Sequence, residues 1–129
     1  MSGALVRRAA ADLLFLTLEK RRTLDQAMAE SPSFGGLDGP DRAFARAIAS
    51  AALRDLGRID CALAPLLSRP LQAASPAIRA LLRAGAVQLW RMDVPEHAAV
   101  SETVEAAKDW PDARSGGAFL NAVLRRAAD

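Results

Sequence analysis

Apolar residues recur every three or four positions along most of the chain, which is the spacing of one face of an α-helix. In the N-terminal segment, Leu5, Ala9, Leu13 and Leu16 follow this period. The pattern predicts a first helix from about Gly3 to Arg22. The basic residues at its end would then complement the negative end of the helix dipole.

Turn-forming residues end this helix and begin the next. Thr23 and Gln26 have the spacing of a capping box, which predicts a short second helix that ends near Glu30. Residues 31–36 read SPSFGG, a cluster of turn formers, and we expect a loop there.

A third helix is expected to begin at Gly39-Pro40, because proline in the first helical turn lacks only an amide that would have no partner anyway. Gly57 is expected to kink or break this helix. Residues 58–67 then continue as another helical segment.

The second half of the chain carries three more helix starts. Ser75-Pro76 combines a serine cap with a first-turn proline, and Val94-Pro95 opens the next helix, which must end before Pro111. Residues 118–128 form the last helix after a Ser-Gly-Gly turn. We therefore expect an all-α bundle of about seven helices with no sheet.

The composition agrees with an all-α fold and narrows the class of protein. The chain of 129 residues holds 29 Ala and 18 Leu but no Tyr, which favours helix over sheet, and its length suits one domain, residues 1–129. No apolar run reaches the length of a membrane span, and we identify no signal peptide. A lone cysteine fits the reducing cytoplasm, where we expect the protein to act without membrane contact.

Residues suited to catalysis are scarce. Cys61 lies in an apolar periodic stretch and is expected to be a small core residue. His97 stands near a helix start without a second His or Cys beside it, so we expect it to pack or cap locally and predict no metal site. We find no acid–base pair and no glycine-rich phosphate loop, so we predict no catalytic residue and no cofactor site in this chain.

Arginine makes RNA binding the more promising chemistry. Although the net charge is only +2, 15 of the 17 basic residues are Arg, whose planar fork suits phosphates and base edges. Arg7 and Arg8 lie in the first turns of the first helix and form one candidate phosphate site; the alternative is a solvated basic face.

A second candidate RNA patch lies near the last loop and the last helix. It contains Lys108, Arg114 and Arg125, with Arg126 beside them. Trp110 lies within this patch and is suited either to stacking on a base or to anchoring a helix end, of which we prefer the anchor. The sequence does not establish that the two patches share a face.

Four segments carry a resemblance to a known family. They read DRAFARAIASAALRDLGRID at 41–60, PAIRALLRAGAVQLWR at 76–91, VPEHAAVSETVEAAK at 94–108 and GGAFLNAVLRR at 116–126. In this order they resemble the NusB-like RNA-binding domains over about residues 5–126. The resemblance implies a bundle of about seven helices that binds RNA through the start of its first helix and a loop near its C-terminus. Arg7 and Arg8 match the first element, and Arg114, Ser115 and Phe119 lie in the second.

Within that family, the chain looks most like the N-terminal domain of bacterial 16S rRNA cytosine-C5 methyltransferases. The pattern PEHAAV at 95–100, SRPL at 68–71 and LRR at 124–126 are typical of that branch. This resemblance implies that residues 1–129 are a fragment of a larger enzyme. It also implies that the catalytic cysteines and the S-adenosylmethionine site belong to a separate domain in cis, so Cys61 has no catalytic role.

Three hypotheses follow for the biological role. The first is a domain that docks 16S rRNA for that methyltransferase. The second is a free-standing transcription antitermination factor of NusB type, which would bind leader or spacer RNA with a ribosomal protein as partner. The third is a protein-interaction bundle that forms a homodimer and leaves its arginines solvated.

Overall fold

The computed structural model describes residues 3–129, which form eight α-helices and no β-strand. The helices are α1 (Gly3–Glu19), α2 (Leu24–Glu30), α3 (Pro32–Gly35), α4 (Gly39–Arg54), α5 (Leu56–Leu63), α6 (Pro76–Arg91), α7 (Glu96–Lys108) and α8 (Gly117–Ala128). Short 3₁₀ turns at Ala64–Leu66, Leu71–Ala73 and Arg114–Gly116 join the last helices. The all-α prediction is confirmed. The helix beyond the seven expected is α3, a single turn of four residues.

The predicted helix starts coincide with the observed caps. Thr23 and Gln26 form a reciprocal capping box at the start of α2. The Ser75 hydroxyl accepts a hydrogen bond from the Ile78 amide at 3.2 Å, which caps α6. These interactions join residues only three apart, so local sequence is enough to predict them.

Two predicted boundaries were wrong. The first helix ends at Glu19, because Arg21 adopts a left-handed φ of 58° and the amides of Lys20 and Arg22 both bond the Leu16 carbonyl. The break before α5 comes at Asp55, and Gly57 lies within the first turn of α5.

The predicted loop at 31–36 was also wrong, because it contains the short helix α3. The Ser31 hydroxyl accepts a hydrogen bond from the Phe34 amide at 3.1 Å and donates one to Asp12 Oδ2 at 2.6 Å. This turn directs the Phe34 ring into the core, where it is 1% exposed. Burial of that ring stabilises a helical turn that the turn-forming composition did not predict.

The core lies around α6, whose residues from Ala77 to Gln88 are all buried. Helices α1, α4, α7 and α8 pack around it, and α1 also contacts α4 and α7. At Gly85 a Cβ atom would lie only 2.7 Å from Leu124 Cδ1, so the absence of a side chain lets α8 approach α6 closely. Helices α1, α6 and α7 therefore form the frame on which the N-terminal arginines are held.

No helix within residues 3–129 is long and apolar enough to cross a membrane. The same residues contain no group of three or more His, Cys, Asp and Glu side chains arranged to hold a metal ion.

Candidate nucleic-acid interface

Arg7 points into the helix bundle. Its side chain is buried between α1, α6 and α7, with the residue only 5% exposed. Its Nε donates to Gln88 Oε1 at 2.9 Å, and its Nη1 pairs with Glu102 Oε2 at 2.8 Å. The guanidinium carbon also lies 4.9 Å from the centre of the Phe44 ring. Arg7 therefore has internal partners for both its charge and its donors.

The Arg7 contacts continue into a buried polar network. Gln88 and Thr103 are both 0% exposed, and Gln88 Nε2 donates to Ala84 O at 2.9 Å and to Thr103 Oγ1 at 3.2 Å. Burial lowers the pKa of the Arg7 guanidinium, and the Glu102 carboxylate opposes that shift. Arginine nonetheless stays protonated at neutral pH, so this network holds a charge between α1, α6 and α7.

Arg8, the next residue, faces the segment that follows α7. Its Nη1 donates to the Asp109 carbonyl at 3.1 Å. Its guanidinium carbon lies 4.4 Å from the centre of the Trp110 ring, and Arg8 is half-buried. Its Nε is buried and makes no hydrogen bond with any residue in 3–129. The start of α1 and the segment directly after Lys108 thus meet through Arg8.

The Trp110 ring packs against the guanidinium group of Arg8. The indole is 6% exposed, and its ring meets Phe15 edge-on at a centroid distance of 5.9 Å. Since Arg8 covers one part of the ring and Phe15 another, little of it is open to a base. The interpretation of Trp110 as a packed helix-end anchor is confirmed.

The remaining predicted residues lie at the surface. Lys108 forms an exposed ion pair with Glu105 at 3.0 Å. The Arg114 side chain is exposed and makes no hydrogen bond or ion pair within residues 3–129. Arg125 Nε donates to Asn121 Oδ1 at 3.2 Å on the exposed face of α8. Phe119 and Arg125 are six residues apart, so they lie about 9 Å apart along the α8 axis.

Ser115 and Phe119 line the larger of two surface grooves described in residues 3–129. This Phe119 groove has a volume of about 390 Å³ and is lined by Leu67, Ser68, Arg69, Pro70, Leu71, Ala73, Ala74, Ser75, Ile78, Asp112, Ser115, Gly116 and Phe119. Phe119 is 41% exposed, which is high for an aromatic residue. The groove thus joins an apolar surface to an exposed cation, Arg69, that the sequence interpretation did not select.

Gly116 keeps the floor of this groove closely packed. A Cβ atom at this position would overlap the end of the Ile78 side chain. Glycine therefore lets the 3₁₀ turn that carries Arg114 and Ser115 lie against the start of α6 without displacing that side chain.

Two further arginines are structural, although they look like RNA-binding residues in the sequence. Arg83 forms two hydrogen bonds of 2.9 Å with Asp60, and Arg79 pairs with Glu19 at 3.1 Å. Both arginines are less than 9% exposed. Their spacing of four residues inside a helix that is otherwise mostly apolar is the signal that could have identified them as core cations.

The solvent exposure of Cys61 and His97 tests the roles expected for these two residues. Cys61 is exposed, so its assignment to the core was wrong: α5 turns Ile59 and Leu63 inward and Cys61 outward. His97 is exposed in the first turn of α7, and no side chain caps that helix, so the capping role expected for His97 as one alternative is not found.

Comparison with known proteins gives a consistent family. A family model described as the NusB family matches residues 5–129. The chain is 39% identical over 127 residues to the ribosomal RNA small subunit methyltransferase B of Xanthomonas campestris, covering 98% of this chain and 28% of that protein. It is 38% identical over 89 residues to the transcription antitermination protein NusB of Shewanella amazonensis, covering 68% of this chain and 66% of that protein.

The fold has counterparts among solved structures. A complex of antitermination factors NusB and NusE with double-stranded RNA contains a chain that superposes with a TM-score of 0.83 at 20% identity, covering 97% of this chain and 94% of that chain. At that identity the likeness concerns the fold. The chain spans about 28% of the length of the methyltransferases among its curated relatives.

Proposed function

We propose that this chain, which belongs to the NusB family, is an RNA-binding domain that docks 16S rRNA for a cytosine-C5 methyltransferase. The catalytic domain and its S-adenosylmethionine site would lie outside the residues of this chain. The Xanthomonas relative supports this role, because its match covers 98% of the chain.

The observation that carries the RNA-binding proposal is the contact of Arg8 with the segment after α7. A hydrogen bond of 3.1 Å to Asp109 and the stack on Trp110 hold the guanidinium in one orientation before any ligand arrives. A preorganised arginine loses less side-chain entropy when it binds a phosphate. Its remaining terminal amino group, Nη2, makes no hydrogen bond within residues 3–129 and is suited to that contact.

Arg7 takes a different part in the proposal. Because its donors are directed at Gln88 and Glu102, we assign it to holding α1 in place rather than to a phosphate. Arg8, Lys108, Arg114 and Arg125 would supply the phosphate contacts.

The Phe119 groove would hold an unpaired base of the same RNA. The exposed Phe119 ring is suited to stacking, and Ser115 offers a hydroxyl beside it. Arg69, which lines the groove, would contact the adjoining phosphate.

The test is a titration of a labelled 16S rRNA fragment, followed by fluorescence anisotropy at several salt concentrations. Arg8→Gln should weaken binding and lower the slope of log affinity against log salt by about 0.7–0.9, the value of one phosphate contact. Arg21→Gln is the matched control, because Arg21 is exposed in the α1–α2 turn and has the same charge. Equal slopes for the two variants would contradict the assignment of Arg8.

The second candidate is a free-standing antitermination factor, favoured by the 38% identity to the Shewanella protein over 66% of its length. In that case a small ribosomal protein should strengthen binding to leader RNA. Titration of leader RNA with and without the ribosomal protein separates the two roles, because the docking domain should bind equally in both.

A homodimer is the third hypothesis. Sedimentation at high protein concentration tests it, and a monomer at all concentrations would exclude a bundle whose role is self-association.

A further inference from the structure

A second groove lies between α5 and the C-terminal end of α6. This α5–α6 groove has a volume of about 320 Å³ and is lined by Arg58, Ile59, Ala62, Trp90 and Arg91. Ile78 in the Phe119 groove and Trp90 in this one are twelve residues apart on α6, so the two grooves lie about 18 Å apart along that helix. The α5–α6 groove is therefore a separate surface.

Trp90 offers this groove a fixed aromatic surface. Its Nε1 donates to the Ala127 carbonyl at 3.0 Å, which anchors the ring against the last turn of α8. The ring is only half-buried, in contrast to Trp110. Because its single polar atom is already bonded, what Trp90 presents to a ligand is a face for stacking.

Two arginines flank the ring. The Arg58 side chain is exposed and makes no hydrogen bond or ion pair with any residue in 3–129. Arg91 Nε pairs with Asp55 Oδ2 at 3.3 Å, which orients the guanidinium and leaves its terminal amino groups unbonded in the described part of the chain. Two such forks beside one groove suit a phosphate group.

Nearby carboxylates cancel only part of this charge. None of the five lining residues is acidic. Asp55 is engaged by Arg91, and Asp60 on α5 is held by two hydrogen bonds to Arg83. The groove thus combines positive charge with an aromatic face and the apolar side chain of Ala62, while Ile59 lies beneath it and is 1% exposed. A flat ring that carries a phosphate complements this combination.

We propose that the α5–α6 groove is a second RNA contact that takes one nucleotide of the bound strand. The base lies against Trp90, and the adjoining phosphates bind Arg58 and Arg91. This inference rests on the proposed function, because it extends the path of the same RNA from the Phe119 groove to the other end of α6.

Tryptophan fluorescence can test it directly, because the chain has two tryptophans. Comparison of the wild type with Trp90→Phe isolates the Trp90 emission and leaves Trp110 in place against Arg8. A ten-residue uridine oligonucleotide should quench the Trp90 emission on binding, since the base stacks on the indole. In the wild-type background, Arg58→Gln with Arg91→Gln should lower the affinity at least fivefold and the salt slope by about 1.4, two contacts of about 0.7 each.

The control is Arg21→Gln with Arg46→Gln, which removes the same charge from two exposed arginines outside the groove. Its slope should stay within about 0.3 of the parent, as expected when no phosphate contact is lost. Both pairs of arginines are exposed, so circular dichroism and the thermal midpoint should show folded proteins.

The outcomes separate the two proposals. If the oligonucleotide binds without quenching Trp90 and the Arg58/Arg91 variant behaves like the control, the second contact is wrong and RNA binding through Arg8 stands. If uridine monophosphate quenches Trp90 as strongly as the oligonucleotide at equal concentration, the groove is a free-nucleotide site and the proposed strand contact is wrong. If no RNA binds even at low salt, the proposed function is wrong, and the second contact with it.

Discussion

Arg7 and Arg8 are consecutive residues of one helix, but their guanidinium groups lie in different environments. Arg7 is buried against α6 and α7, whereas Arg8 lies half-buried over Trp110 at the edge of the bundle. Successive helical residues point about 100° apart, so adjacent positions on α1 need not share a face. The comparison teaches that a basic pair in a sequence can divide into one structural cation and one candidate ligand-binding cation.

The same division applies to the molecule as a whole. Around α6, three arginines (Arg7, Arg79 and Arg83) are buried and paired with carboxylates on other helices. In the segments between helices, Arg69 and Arg114 are exposed and make no ion pair within residues 3–129. The small net charge therefore understates the positive surface, because acidic residues are used to neutralise the interior.

Removal of Arg7 should have the largest effect on stability. Arg7→Met leaves the buried Gln88 carbonyl oxygen without its donor and Glu102 without its cation. We expect a loss of about 3 kcal/mol in the free energy of unfolding. Since the Glu102 side chain is 40% exposed, water compensates part of the broken ion pair, and we do not expect a larger value. Urea denaturation measures the change. A loss below about 0.5 kcal/mol would contradict a structural role for Arg7.

A double-mutant cycle sharpens that prediction. Gln88→Leu alone should be destabilising, because it leaves the Arg7 Nε unpaired in the core. Combined with Arg7→Met, the two changes should cost about 1–2 kcal/mol less than their sum, since each removes a partner of the other. Additive values would show that the hydrogen bond of 2.9 Å contributes little to the native state.

Substitution of Arg8 should reduce RNA affinity while it changes stability little. Arg8→Gln should change the free energy of unfolding by less than about 1 kcal/mol, because only the contact with the Trp110 ring and one hydrogen bond to the backbone are lost. Its RNA affinity should fall severalfold, with a salt slope lower by about 0.7–0.9. Arg8→Lys tests the stack: it keeps the charge, so the slope should hold while affinity drops. If Arg8→Gln unfolds the protein as Arg7→Met does, the proposed division between the two residues fails.

The smallest effects on stability and on RNA affinity are expected for substitution of Arg125. It is exposed on α8 and bonded only to Asn121 within residues 3–129, so Arg125→Gln should alter stability by less than about 0.5 kcal/mol. RNA affinity should fall less than for Arg8→Gln, because a mobile side chain loses more entropy when it binds. Parallel titrations at one salt concentration provide the measurement. A larger loss than for Arg8 would move the centre of the proposed interface to α8.

Much of the helix pattern was predictable from the sequence, because the responsible interactions are short in range. The capping box at Thr23 and the serine cap at Ser75 each join residues three apart. The missed helix has a different cause, which is long in range. Helix α3 depends on the burial of Phe34 and on a hydrogen bond from Ser31 to Asp12, which lies 19 residues earlier. Local composition contains no sign of that contact.

The candidate site was less predictable than the fold. Ser115 and Phe119 meet at one groove, but Arg69 and Ile78 reach the same groove from distant parts of the chain. Trp90 and Arg58 likewise lie 32 residues apart in sequence and meet at the α5–α6 groove. Grooves form where helices fail to fill the space between them, which no single segment encodes.

The sequence by itself determined an all-α protein, the caps of α2 and α6 and the resemblance to the NusB family that the comparison over residues 5–129 confirms. Only the tertiary structure decided which arginine is a core cation and which lies half-buried at the edge of the bundle. Arg7 donates a hydrogen bond to Gln88, 81 residues later in the sequence, and Arg8 donates one to the Asp109 carbonyl, 101 residues later. The physical reason is that burial and pairing depend on which helices pack together, whereas periodicity and capping act within a few residues of one helix.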